Sequence, residues 1–212
     1  MRRLPDGKLG ILVTQAVFLT VLSALWSAVN YFSGQSTDRL PLYLPWEAEI
    51  PFVWAAVPIY LTLDLAVGIS PFAFSGWRAA LPLQLTLLVQ LLIAIPGFLL
   101  LPLELGFTGD HPTGIWGDLA RALDVPDFGS WNHIPSLHVS FAWAVAWFVG
   151  QSLKKPVRMM LYGWAGLVTV STLLVHEHHL IDAAAGAILA VATLTTVAPW
   201  LRHRLSTDCV AM

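Results

Sequence analysis

Charge is what this chain has least of: Lys, Arg, Asp and Glu make up 11% of its 212 residues, against 57% hydrophobic ones. A single cysteine, Cys209 in the tail, excludes an internal disulfide framework and offers no metal-ligand set. No internal repeat and no low-complexity linker divides the chain, so one domain over residues 1–212 is expected. The apolar/polar alternation of a membrane β-barrel is also missing. The net charge of −2 is uninformative in itself, and no nucleic-acid partner is expected.

What the chain does have is long apolar runs, too long for ordinary core helices. About 20 mostly apolar residues cross a hydrocarbon layer roughly 30 Å thick. Six candidates lie at about 9–32, 50–72, 80–103, 136–153, 157–175 and 180–201. Lipid offers nothing to unpaired backbone groups, so each run is expected to be helical, and the fold class is all-α, a six-helix membrane bundle. The first run follows Arg2, Arg3 and Lys8, but it is longer than a secretory core and no small-residue cleavage site follows, so it is expected to be retained. With six spans, nine of the eleven Lys and Arg fall on the side that holds both termini; only Arg39 and Arg121 fall on the other. The positive-inside rule then puts both termini in the cytoplasm.

Six of the seven histidines, all but His203, gather near the opposite face. The loop over 104–132 contains a short amphipathic segment at 115–123 and leads into WNHIPSLHVSFAW, residues 131–143. Pro135 suits the first turn of a helix, which would put Ser136 and His138 beside free backbone N–H groups and the positive end of the helix dipole. The sequence HEHHLID, residues 176–182, lies between the fifth and sixth runs. His178 and Asp182 are four apart and share a helix face, the spacing of a base and the carboxylate that fixes its tautomer. Titratable groups near hydrocarbon are costly, which favours function for His138, His178 and Asp182 together. His111, His176 and His179 are read as interfacial polar residues. Asp64, placed nearer the cytoplasmic end of its run, is assigned to helix packing or the interface, and Trp46, Trp131 and Trp200 to the aromatic belts.

Pro135-Ser136-Leu137-His138, followed by Ser171-Thr172 with His178 and Asp182 beyond, resembles the second and third signature motifs of the type 2 phosphatidic acid phosphatase superfamily. Leu137 in the usual glycine position, Asn132 upstream, the HHLIDAAAG stretch ending at Gly186 and IPFVWAAVPIY at 50–60 are similar to the inositol phosphorylceramide synthase branch. The resemblance implies His178 as a nucleophile that forms a phosphohistidine, Asp182 as its orienter and His138 as the general acid. Ser136 and nearby N–H groups would hold phosphate oxygens. Asn132, Ser171, Thr172, Arg39 and Arg121 are further substrate-binding candidates. The scheme calls for no metal and no cofactor. A lipid phosphate ester is the expected substrate, and water or a lipid alcohol the expected acceptor.

The chain departs from that pattern at its cations. The superfamily's first motif, K-x6-R-P, has no counterpart in LPLELGFTGDHP at 101–112, and Thr172 stands where the third motif has Arg. A phosphate monoester dianion is normally held by such cations. With only Arg39, Arg121 and any protonated His133, His176 or His179 at hand, a singly charged diester or a substrate bringing its own cation is favoured. A non-catalytic membrane scaffold is the competing class. A zinc-protease reading fails because Leu180 stands where H-E-x-x-H needs its second His. A compact chain with short loops suggests a bacterial inner membrane with the site in the periplasm.

Overall fold

The computed structural model describes residues 7–107 and 131–207. Arg121, His111, Cys209 and the amphipathic segment expected at 115–123 lie outside them. Seven α-helices occur among the described residues: α1 Lys8–Gly34, α2 Ala56–Ile69, α3 Trp77–Leu100, α4 Leu137–Gly150, α5 Lys155–Leu174, α6 Leu180–Thr195 and α7 Val197–Thr207. Short 3-10 turns lie at Pro45–Glu49 and Ser70–Ala73. The described residues form no strand, only one bridge between Leu40 and Leu103.

Five stretches are long and apolar enough to cross a membrane: Lys8–Gly34, Ala56–Ala73, Trp77–Leu100, Lys155–Leu174 and Leu180–Leu205. The last contains a break at Thr196, because Pro199 has no N–H to give to the carbonyl one turn back. Helix α4 has 14 residues and reaches only about 21 Å at 1.5 Å per residue. Shortness suits its place, since it packs against α2, α3, α5 and α6 and is apolar on nearly every side. Ala142, Ala144 and Ala146 are fully buried on it, and such small side chains let neighbouring backbones come close.

Buried polar groups in this core are paired across helices. The Gln84 side-chain amide donates to Gln15 Oε1 (2.8 Å), Gln15 donates to the Val67 carbonyl (2.9 Å), and Gln90 donates to Thr193 Oγ1 (2.7 Å). Each bond fixes the rotation of one helix against another. At the other end of the bundle, Ser136 N–H donates to the Asp182 carbonyl (3.0 Å), tying the start of α4 to the start of α6.

That tie depends on Gly186. A Cβ there would run into the Ser136 carbonyl oxygen and lie 3.1 Å from Val139 Cβ. The glycine thus lets α6 press its first two turns onto the cap of α4. Gly186→Ala is expected to force these starts apart, at about 1–3 kcal/mol of stability, with a lower Tm in detergent and reduced turnover. An alanine variant as stable and active as the parent would show that the contact is dispensable.

Candidate active site

Helix α5 ends in a turn that aims the next histidine inward. Glu177 N–H donates to the Thr172 carbonyl (3.1 Å) and His176 N–H to the Leu173 carbonyl (3.2 Å), the paired bonds of a Schellman cap. His176 occupies the left-handed position, φ 62°, where glycine is usual, so the turn carries local strain. Its ring holds it there: Nε2 lies 2.8 Å from the Ile50 carbonyl oxygen, and the ring stacks on Phe107 at 4.2 Å. After this reversal His178 faces the bundle interior.

His178 Nδ1 stands 3.5 Å from Asp182 Oδ2, within ion-pair reach but without a formed hydrogen bond. Both residues are buried, and Asp182 also accepts the His179 N–H at 2.9 Å, so the carboxylate closes the open N-terminus of α6. With Nδ1 turned to the acid, Nε2 of His178 is the nitrogen left for chemistry. Across the cavity, the ring centroid of His138 lies 6.3 Å from that of His178. His138 sits in the first turn of α4, stacked on Tyr60 at 4.1 Å, with its Nδ1 3.4 Å from the Tyr60 hydroxyl. Pro135 precedes the cap instead of entering the first turn; Ser136 is the N-cap and accepts Val139 N–H at 3.3 Å.

His138, His178 and Tyr60 border a cavity of about 510 Å³ that also touches Asn132, Glu177 and Asp64, while Ser136 and Asp182 lie fully buried behind its wall. Among the described residues, Asn132 Oδ1, His133 Nδ1, His138 Nε2 and Asp182 Oδ1 are buried without a hydrogen-bond partner. Of these, Asn132 and His138 line the cavity, where orphaned polar atoms are costly in a closed core and normal if a polar ligand binds. The charged side chains among the described lining are both acids, Asp64 and Glu177.

His133, which the sequence offered only as a cation if protonated, has its ring centroid 6.2 Å from that of His178. Burial, reinforced by His178, holds its pKa down at about 3, so it is neutral at physiological pH. Burial likewise lowers His179, despite the acid beside it. Arg39 is tied beside this cluster: its guanidinium donates to the Ser33 and Leu103 carbonyls at 3.2 and 3.3 Å and lies 3.9 Å over the Trp131 ring. Ser171 and Thr172 are buried with their hydroxyls bonded back to the Val168 and Thr169 carbonyls, and neither borders the cavity.

The interfacial reading of His176 and His179 does not hold, since both are buried. His179 pairs with Glu47 (Nδ1 to Oε2, 3.2 Å) and is stacked between Tyr43 and Phe107. Glu47 also accepts the Leu180 N–H at 2.8 Å and the Leu44 N–H at 2.9 Å. HEHHLID therefore divides into two groups. His178 faces the cavity with Asp182 buried behind it; His176 and His179 clamp the turn that presents them, with a second carboxylate set against the N-terminus of α6.

The chain is thus a bundle of membrane-spanning helices with two imidazoles facing across a pocket, one of them backed by a carboxylate. The family model of the PAP2 superfamily matches residues 85–206 of this chain, more than half its length, and the chain belongs to that superfamily, whose members are phosphatases. Comparison with the curated proteins and with the solved structures gave no match. The protein is thus a membrane member of a phosphatase and phosphotransferase family acting on phosphate esters.

Proposed function

We propose that the protein cleaves a lipid phosphate ester through a phosphohistidine on His178. The observation that carries this reading is the 6.3 Å separation of the His138 and His178 rings, room for one phosphorus centre between them, with Asp182 behind the second. Asp182 holds the Nδ1 proton, so the Nε2 lone pair of His178 attacks phosphorus. The bond from phosphorus to the lipid oxygen breaks, and His138 gives its proton to that oxygen. In the second half His138 takes a proton from the acceptor, whose oxygen displaces His178 from phosphorus. Ser136, Asn132 and the N–H groups opening α4 hold the non-reacting oxygens, and Arg39 supplies positive potential from the side, with Arg121 a second candidate cation from the sequence. The chemistry needs no metal.

In this reading α4, though short, is the sixth span; both termini lie in the cytoplasm, and the site opens at the periplasmic face of a bacterial inner membrane. The distribution of Lys and Arg supports that orientation.

Transfer to a lipid alcohol, as in the inositol phosphorylceramide synthase branch, is a second reading with its own support. The described lining holds two acids and no Lys or Arg, which suits a singly charged diester better than a dianion. The test is a panel of labelled lipid mono- and diesters given to purified protein, with and without a lipid alcohol. Phosphate release that ignores the alcohol supports hydrolysis, and labelled headgroup on the alcohol supports transfer. Inertness to every ester, with no labelled protein after acid-free quenching, would leave the scaffold reading.

A further inference from the structure

Helices α1 and α2 converge at one end and part toward the other. Gln15 of α1 bonds the Val67 and Gly68 carbonyls at the end of α2 (2.9 and 3.2 Å). Beyond that point α1 packs along α3, with no packed seam along α2. The gap is the lower part of the cavity that ends at His138 and His178, and its walls are mostly apolar, with Leu22 on α1, Leu63 on α2 and Phe141 on α4 among them. An acyl chain lying in it would bring its headgroup to the two imidazoles.

One wall is not apolar. Tyr60 and Asp64 are four apart on α2 and both line the cavity, with Asp64 about 6 Å further along the helix axis than Tyr60, whose ring stacks on His138. Ser23 and Ser27, also four apart, line the facing side from α1. Asp64 is the ninth residue of the eighteen-residue stretch Ala56–Ala73, which is mid-span and not near its end. No described residue hydrogen-bonds to it or pairs with it, while Thr62 and Tyr60 beside it are both engaged. Asp64, Ser23 and Ser27 are exposed on the open walls of the groove, and an acid in the middle of a span with no protein partner is costly against lipid unless something lying in the groove satisfies it.

We propose that Asp64, with Ser23 and Ser27 opposite, is a specificity subsite that binds a hydrogen-bond donor on the lipid's backbone, on the chain side of the phosphate. The inference rests on the lipid-phosphate reading above. The donor is a hydroxyl, amide or amine, carried either by the phosphate-bearing lipid or by an alcohol acceptor lying in the same groove. Lipids acylated at every backbone position offer no such group to Asp64.

The experiment compares a monoacyl glycerol phosphate, a long-chain-base phosphate and a diacyl glycerol phosphate of matched chain length as substrates for the full-length protein in detergent. A second arm supplies a lipid alcohol acceptor to the same reactions. A third measures binding of a non-hydrolysable monoacyl phosphonate, which needs no turnover. The parent should prefer donor-bearing lipids through KM. Asp64→Leu should collapse that preference about ten- to hundredfold, the effect of losing one charge-assisted hydrogen bond, with kcat moving far less. Asp64→Asn should restore it for hydroxyl and amide lipids, while a preference restored by Asp alone would identify an amine. If the change falls only on the KM for the added alcohol, the subsite serves the acceptor. Substrate KM ratios, alcohol KM and phosphonate affinity all equal to the parent's in Asp64→Leu overturn the subsite and leave the phosphatase reading standing. Absent turnover with Asp64-dependent phosphonate binding overturns the phosphatase reading instead, and absence of both overturns the two together.

Discussion

His178→Gln is expected to lower turnover of a lipid phosphate by on the order of 10⁴-fold or more, and to abolish covalent labelling of the protein by phosphorus. The size follows from what is removed. Without Nε2 there is no intermediate, and water at the membrane rim must attack an ester directly, with only oriented N–H groups and His138 to help. Glutamine suits the test better than alanine. His178 is 3% exposed and packed between His133, His138 and Asp182, so deleting its ring would open a void and strand a buried carboxylate. Glutamine keeps most of the volume and leaves an amide N–H for Asp182. Thermal unfolding of the variant checks that the fold survives, and rapid quenching with labelled lipid phosphate measures the covalent step. Turnover within tenfold of the parent, with labelled phosphate still on the chain, would move the nucleophile elsewhere.

Much of this pocket was legible in local spacing. His178 and Asp182 sit four apart at the mouth of an apolar run, and helix geometry alone sets them on one face. Pro135 and Ser136 announce the start of α4, although serine caps it and proline stands outside. The runs themselves gave the bundle to within a few residues, except where hydropathy is blind to backbone chemistry. Residues 50–55 are apolar but not helical, because Val53 N–H is drawn to the Leu174 carbonyl at 2.9 Å, and Pro199 divides the last run.

Contacts between distant residues were not legible. Glu47 is an ordinary acid in a polar loop by sequence, and its burial against His179 exists only because the 35–55 connection folds over the end of α6. Tyr60 belongs to the pocket through packing of α2 against α4, and His133 meets His178 where the segment before α4 lies beside the start of α6, and no periodicity encodes either contact. Ser171 and Thr172 matched a motif by position, yet their hydroxyls serve their own helix, as Ser and Thr in apolar helices commonly do.

His138→Ala should separate the two halves of the reaction. With an alkyl ester the departing oxygen is a poor leaving group and needs a proton as the bond breaks, so loss of the acid should slow phosphoryl transfer to His178 by about 10²–10⁴-fold. An aryl phosphate that leaves as a stabilised phenolate needs no such proton, and its first step should proceed at nearly the parent's rate. The second step still requires a base to take the proton from the incoming water, and the variant lacks it. The aryl substrate should therefore give a burst of about one phenolate per protein followed by a slow steady state, with phosphohistidine accumulating; the alkyl substrate should give neither. Tyr60→Phe offers a milder form of the same result, because it removes the hydroxyl 3.4 Å from His138 Nδ1 while leaving the stacked ring in place. Stopped-flow release of phenolate measures the burst directly. Equal losses on both esters with no burst would deny His138 the proton and reduce it to a wall of the pocket, and the acid would then have to be sought among the groups that share the cavity, beginning with Glu177.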